Sequence, residues 1–397
     1  MPGNWQGECA LAELTVAIVA DDLTGAMDAA APFARRSART SVVIALEHLA
    51  DVIAQGNLPD VLAINTESRH LPAEQAARRV AEAFESLLPF APHILFKKVD
   101  STLRGNVVAE CLAARRSSGR GLLVCPAVPA QGRTLRDGQI HVHGEPLAAS
   151  DYGRDARSAP PAEPLAVLFA RQGLDIPVMR EGGAGEAPDV IADAVDDADL
   201  QRLARALLES PQRWLAVGAA GLTEALAGCL FPAGFASAST IPPLENLLIA
   251  VGSRCDLARR QVARLCEACP GFSIIHAMEN DMARHGPARQ QLIIPERRSS
   301  TRFTAEQVAR GMAYCVQALL EEKSGQAYML FLTGGDTAMA VMARLSVRQV
   351  ELAGEWAPGV AWGWLDGDRH RPVMTKAGGF GDEALLMRLG QASTTRG

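Results

Sequence analysis

The sequence lacks an excess of basic residues: Lys and Arg total 39 against 45 Asp and Glu, a formal net charge of −6 over 397 residues. A nucleic-acid partner, which needs a basic footprint, is therefore not expected. It also lacks any uninterrupted apolar run of the roughly 18 to 20 residues needed to cross a bilayer. The longest stretches break at Gly, Pro or a charge, so no membrane partner is expected. The opening residues, MPGNWQGECALAEL, carry Glu8 and Glu13 and lack a basic region followed by an apolar core. A secretory signal is not expected, and a cytoplasmic location follows. The eight cysteines are scattered, as reduced buried thiols would be, with no disulfide framework. The lone CxxC, Cys266 and Cys269, ends a helical pattern before Pro270-Gly271, whereas a redox pair works at a helix start. Two phosphate fingerprints are missing too. There is no GxxxxGK[ST] loop and no clean GxGxxG after the first apolar strand, so neither an ordinary P-loop enzyme nor an N-terminal dinucleotide site is expected.

What is present is an ordinary balance for a folded chain, with 48% hydrophobic and 21% charged residues. The length suggests two or three domains at about 150 residues each. Apolar strand patterns at 14–20, 61–65, 94–99, 122–125 and 214–217 alternate with helical patterns at 26–36, 73–88, 107–116 and 222–230. After PAGFASASTIPP (232–243), which has the composition of a linker, the alternation resumes. Strands are expected at 247–251, 272–276 and 328–332, and helices at 257–266, 305–320 and 338–345. The expected fold class is α/β, with two domains that each hold a mostly parallel sheet flanked by helices. The expected division is 1–235, a linker at 236–246, and 247–397.

In open parallel sheets, ligands bind beyond the carboxyl ends of the strands, so polar loops directly after strands carry the functional reading. Asp21-Asp22-Leu23-Thr24-Gly25 follows the first strand. Adjacent carboxylates there can supply a base for a substrate hydroxyl, or one can simply cap the helix. Asp100-Ser101-Thr102-Leu103-Arg104-Gly105-Asn106 follows a strand ending in Lys97 and Lys98. Its Arg fork and hydroxyls suit a small polyhydroxy anion, and strand alternation lets at most one of the two lysines reach it. Arg69, after the strand at 61–65, and Gln131 with Arg133, in PAVPAQGRTLRDG (126–138), are weaker candidates for the same cleft. His141 and His143 lie at strand spacing without a third metal partner, and no metal ligand set is assigned.

In the second half, Gly252-Ser253 and Thr333-Gly334-Gly335-Asp336-Thr337 each connect a strand to a helix. Helix N-terminal amides suit phosphate. Thr375-Lys376-Ala377-Gly378-Gly379-Phe380-Gly381-Asp382 adds a glycine loop that lets backbone approach a ligand. Together these point to a nucleotide domain.

Taken in order, VADDLTGAMDAA (19–30), NTESR (65–69), KKVDSTLRGN (97–106), CPAVPAQGRTLRDG (125–138), VGAAGL (217–222), VGSRCDLARRQ (251–261), LTGGDTA (332–338) and TKAGGFGDE (375–383) resemble the four-carbon acid sugar kinase family over nearly the whole chain. The resemblance implies ATP-dependent phosphorylation of a sugar acid such as threonate, erythronate or 3-oxotetronate. The acid sugar would lie against Asp21, Asp22, Lys98, Asp100, Ser101 and Arg104, with Arg69, Gln131 and Arg133 nearby. The nucleotide would contact Ser253, Gly334, Gly335, Asp336, Thr337 and Gly378. Asp22 or Asp21 would orient or deprotonate the attacking hydroxyl, and Mg²⁺ would bridge the phosphates. The chain departs from the family pattern at AASDYGRDARSAPP (148–161), where Asp155 has no following Pro, and at Arg254 and Cys255. The expected partner is a small sugar-acid substrate, with a homo-oligomer left open. The alternative is a non-catalytic sugar-acid sensor with a regulatory second domain; a nicotinamide-dependent oxidoreductase is weaker still, given the missing fingerprint.

Overall fold

The computed structural model describes residues 14–150, 152, 160–180, 186–232, 241–242, 244, 246–277, 288–295, 303–322, 326 and 328–394. In chain order its strands are β1 (Val16–Ala20), β2 (Thr40–Val43), β3 (Val61–Asn65), β4 (Ile94–Lys98), β5 (Gly121–Cys125), β6 (Arg133–Arg136), β7 (Gln139–Val142), β8 (Glu145–Pro146), β9 (Val178–Met179), β10 (Val190–Ala192), β11 (Trp214–Gly218), β12 (Leu247–Val251), β13 (Ser273–Ala277), β14 (Gln290–Pro295), β15 (Met329–Thr333), β16 (Gln349–Ala357), β17 (Val360–Leu365) and β18 (Pro372–Lys376). The helices are α1 (Leu23–Ala34), α2 (Leu49–Ala54), α3 (Ala73–Leu87), α4 (Val107–Ser118), α5 (Leu165–Ala170), α6 (Asp197–Glu209), α7 (Ala220–Leu230), α8 (Asp256–Ala268), α9 (Ala305–Glu322), α10 (Gly335–Arg344) and α11 (Leu385–Thr394).

The chain is α/β and its main sheet is mostly parallel. In the N-terminal half the order β2-β3-β1-β4-β11-β5-β10-β9 is parallel throughout. Strand β1 (VAIVA) is buried at every position, as a strand covered by helices on both faces must be. Helix α3 buries Ala76, Val80, Ala83, Phe84 and Leu87, the three-to-four spacing of an amphipathic helix on a sheet. In the C-terminal half β13-β14-β12-β15-β18 is likewise parallel.

The two halves are one sheet. Strand β17 runs antiparallel to both β18 and β16, and β16 pairs antiparallel with β2, joining the halves into a 15-stranded sheet. The helix-strand alternation read from sequence has no place for this trio, whose long strands follow one another without helices. Helix α1 belongs to both halves at the join, packing against β3 and α7 and against β16. Arg35, just past its end, bonds Glu224 of α7 at 2.5 Å and Glu355 of β16 at 3.2 Å. The joint expected at 236–246 falls largely outside the described residues. Among the described residues, no helix is long and apolar enough to cross a membrane.

Candidate active site

Each half has a point where the chain leaves neighbouring strands in opposite directions, which is where open parallel sheets bind ligands. In the first half these strands are β1 and β4, and in the second β12 and β15. The loops expected to carry chemistry therefore gather at two crevices.

At the first, Asp22 is the N-cap of α1. Its side chain accepts from the Gly25 amide at 2.8 Å and from Thr24 Oγ1 at 2.7 Å, so one carboxylate starts the helix as an N-cap should. It is also one of two acids gripping Arg69. Arg69 Nε and Nη2 donate to Asp21 Oδ2 and Oδ1 at 2.7 and 2.9 Å, while Nη1 and Nη2 donate to Asp22 Oδ2 and Oδ1 at 2.7 and 2.9 Å. Burial pushes the Asp21 carboxyl up, but Arg69, helped by Lys97 and Lys98, holds it below the usual range.

The loop after β4 is organised by Asp100. It accepts from the Thr102 hydroxyl and amide and, bidentately, from Arg104 Nε and Nη2 at 2.9 Å each. Burial opposes ionisation of Asp100, and Arg104, Arg69 and Thr102 overcome it, leaving the acid well below its ordinary range. Lys97 and Lys98 point to opposite faces, as alternation requires. Lys97 is fully buried against Glu110 at 2.8 Å. Lys98 donates to the Val99 carbonyl at 2.9 Å and faces the pocket.

That pocket is lined by Asp22, Arg69, Lys98, Asp100, Ser101, Arg104 and Gln131 among the residues singled out from sequence. Asp21 and Arg133 stand behind its wall. Arg133 donates to Gln131 Oε1 and, at 2.8 Å, to the Tyr152 hydroxyl, and it lies 5.5 Å from the Phe380 ring centroid. It braces Gln131 and reaches across to the glycine loop of the second half. Thr24, Asp28, Thr375 and Phe380 also line the pocket and were not singled out. Asp28 is the most consequential of these. Burial raises its pKa, Lys98 and Arg133 draw it down, and Asp22 and Asp100 push it up. Its signal in the sequence was the i, i+4 spacing from Thr24, which sets both on one helix face.

The second crevice opens into a cavity of about 920 Å³, and Ser253, Gly334, Gly335, Asp336, Thr337 and Gly378 all line it. Gly334 caps α10 with φ of 101°, a conformation that favours glycine. A Cβ on Gly378 would stand 2.0 Å from Ser253 Oγ, so the loop after β18 lies directly on the loop after β12. Lys376 does not line either space. The residue is 1% exposed, and its ammonium donates to the carbonyls of Ala377, Gly378 and Phe380 at 2.9, 3.2 and 3.1 Å, wrapping the glycine loop around a buried cation. Gln261 of α8 ties down the same loop through the Phe380 and Asp382 carbonyls. Val308, Ala309, Met339 and Ala340 supply apolar lining from α9 and α10.

Arg254 and Cys255 face this cavity, and Cys255 caps α8 through its sulfur. Asp155 lies outside the described residues. His141 Nδ1 lies 3.2 Å from the Gln139 carbonyl, and the described residues contain no group of three His, Cys, Asp or Glu side chains placed to hold a metal.

The two spaces meet. Asp22, Arg69 and Arg104 border both, and a Cβ built on Gly335 would lie 3.7 Å from Asp22 Oδ2 and from Thr24 Oγ1. The N-terminus of α10, the positive end of its dipole, thus abuts the acid that caps α1. A polyhydroxy anion in the pocket and a phosphate chain in the cavity would touch at Asp22.

Residues 16–226 match the family model of a sugar-binding N-terminal domain, and residues 274–386 that of a nucleotide-binding C-terminal domain. The chain is 36% identical to a D-threonate kinase of Bordetella bronchiseptica over 96% of this chain and 98% of that protein. It is 32% identical to a D-threonate kinase of Salmonella typhimurium over 93% and 96%, and 29% identical to a D-erythronate kinase of Heliobacterium modesticaldum over 92% and 94%. A crystal structure from Bordetella bronchiseptica, described as a domain of unknown function with bound citrate in a domain-swapped dimer, aligns with a TM-score of 0.50 at 33% identity, over 96% of this chain and 98% of that one.

Proposed function

This sugar acid kinase belongs to the four-carbon acid sugar kinase family, and from that premise we propose that it transfers the γ-phosphoryl group of ATP to a hydroxyl of a four-carbon aldonate, D-threonate first among candidates. The observation that carries the reading is the meeting of the two spaces at Asp22, Arg69 and Arg104. In it, Lys98 and the unpaired edge of Arg104 hold the substrate carboxylate, and Ser101 and Gln131 bond hydroxyls. Asp22 aims the attacking hydroxyl at the phosphate end of the nucleotide. The Gly334–Gly335 turn, the α10 amides, Ser253 and Gly378 receive the phosphates. Asp21 does not line the acid-sugar pocket and acts on it through Arg69.

Phosphoryl transfer rests mainly on positioning and charge stabilisation, which suits an Asp22 whose oxygens already accept four hydrogen bonds. A magnesium ion would offset phosphate charge. Asp21, Asp22, Glu67, Glu306 and Asp336 border the cavity; Asp22 and Asp336, which flank the Gly334–Gly335 turn, are the acids that would hold the ion, with phosphate and water as its other ligands, as magnesium commonly has. With both substrates bound, the residues that border both spaces would be shielded from water, as phosphoryl transfer needs. The reaction's need for ATP accords with a cytoplasmic setting, and the domain-swapped Bordetella dimer makes a homo-oligomer the assembly to test.

The deciding experiment measures ADP release from Mg-ATP with each of D-threonate, L-threonate, D-erythronate and 3-oxotetronate. ADP formed with one or a few acids, and little without, is expected. Rapid hydrolysis indifferent to acid would defeat the reading, and acid binding without turnover would favour a sensor.

Two further results are expected at the nucleotide loop. Gly378→Ala forces a Cβ onto Ser253, and overpacking of this kind costs about 1–3 kcal/mol; ATP affinity should fall about tenfold with the acid KM little changed. Unaltered ATP binding in calorimetry would remove Gly378 from the nucleotide site. Burial lowers the Lys376 pKa from the usual 10.5 to about 8. Above that pH the amine keeps two N–H donors for three carbonyls, so ATP affinity should decline as pH rises through 8. Between 8 and 10.5 the unfolded chain binds the extra proton, so this residue's contribution to stability rises with pH. An affinity that falls where stability does not is the signature; a flat affinity profile from pH 7 to 9 would contradict it.

A further inference from the structure

Three carboxylates line the acid-sugar pocket, and two are fully engaged by the protein. Asp22 accepts from Arg69, Thr24 and the Gly25 amide, and Asp100 from Arg104 and Thr102. Asp28, on the second turn of α1, lines the same pocket and makes no hydrogen bond or ion pair with any described residue. A half-buried carboxylate without a donor is costly, and nothing in α1 needs an acid there, because Asp22 already caps the helix. Its electrostatic surroundings are those of a ligand site. Lys98, in the pocket, and Arg133, behind its wall, attract it, while Asp22 and Asp100 repel it, so a cation is not required and a hydroxyl donor is the group that fits.

We propose that Asp28 is a specificity-determining residue whose carboxylate accepts a hydrogen bond from a sugar-acid hydroxyl that is not phosphorylated, and so selects hydroxylated acids over their deoxy analogues. The inference rests on the kinase reading for the position of the acid. With the substrate carboxylate at Lys98 and the attacking hydroxyl at Asp22, Asp28 stands beside the intervening carbons. A site built to bond a hydroxyl discriminates strongly against a ligand lacking it, because its own polar group is then left unpaired.

The test compares D-threonate with 3,4-dihydroxybutanoate and 2,4-dihydroxybutanoate, its 2-deoxy and 3-deoxy analogues, by ADP release and by calorimetric binding to wild type, Asp28→Asn and Asp28→Ala. Wild type is expected to prefer D-threonate over one analogue by about 10²-fold or more. Asp28→Ala should bring that ratio to within about threefold of one, by losing affinity for D-threonate alone, with the ATP KM unmoved. Asp28→Asn, which keeps an acceptor oxygen, should fall between, and it carries the same comparison if the alanine variant does not fold. Equal weakening toward all three acids would make Asp28 merely structural, and a wild type indifferent to both hydroxyls would overturn the proposal as well. Selective acid binding without ADP release would overturn the kinase reading and leave Asp28 standing. Failure to bind any of the three acids would overturn both.

Discussion

Arg69→Ala should destabilise the protein by about 3–5 kcal/mol at pH 7, the range for removing one partner of a buried ion pair, and should abolish acid-dependent turnover. Arg69 makes four hydrogen bonds to Asp21 and Asp22, whose side chains are 4% and 19% exposed. Without the guanidinium, two adjacent carboxylates remain buried and repel each other. The pH dependence carries a definite sign. In the wild type the folded-state pKa of Asp21 is lowered, so its contribution is present above the ordinary carboxylate range and lost as pH falls through the lowered value. In the variant burial dominates, protonation relieves the strain, and the deficit relative to wild type should shrink from pH 7 to pH 5. Arg69→Lys should recover part of the stability, since one ammonium cannot replace a planar fork shared between two acids. Urea unfolding at the two pH values decides it: a loss below about 1 kcal/mol, or one that grows on acidification, would show that the acids find other partners.

Asp22→Asn is the second large effect, and it falls on rate. Asparagine is as good an N-cap as aspartate and Arg69 keeps its bidentate pair with Asp21, so α1 should persist and the fold should survive with a smaller stability loss than in Arg69→Ala. What disappears is the negative charge beside the attacking hydroxyl, at the one carboxylate lining both spaces that also abuts Gly335. A fall in kcat of about 10² or more is expected from loss of a positioned base or orienting acid, with the KM for ATP within about threefold of wild type. Asp21→Asn should reverse the pattern, costing more stability than rate, because Asp21 lies behind the acid-sugar pocket and serves Arg69. Near-normal turnover in Asp22→Asn would reduce Asp22 to a helix cap and direct attention to Asp28.

The contrast between these acids separates local from tertiary information. Asp21 and Asp22 are adjacent in the sequence and equivalent by type. The Asp22-Leu-Thr-Gly turn already suggested a cap, but only the return of Arg69, 47 residues on from Asp22, gave both acids one shared cation. Lys97 and Lys98 were separable from strand alternation alone, and the family resemblance picked Lys98; the physical reason for the choice lies in the fold, where Glu110 of α4 meets Lys97 on the other side. Arg104 read as a free fork for an anion, and the fold turns two of its nitrogens to Asp100. Asp28 went unnoticed because attention to loops stops where a helix begins.

By itself the sequence determined the alternating strands and helices, the glycine turns after β15 and β18, and the family, because these depend on local periodicity, backbone conformation and the order of motifs. The tertiary structure alone decided that the two halves share one sheet through β16 and β2, that α10 points at Asp22, and that Lys376 is spent on its own loop. The first two outcomes depend on contacts between segments hundreds of residues apart, and the third on a loop whose closed shape the packing around it sets. Hydrogen-bond donors and charges find their partners across such distances only when the packing of the whole chain brings them together.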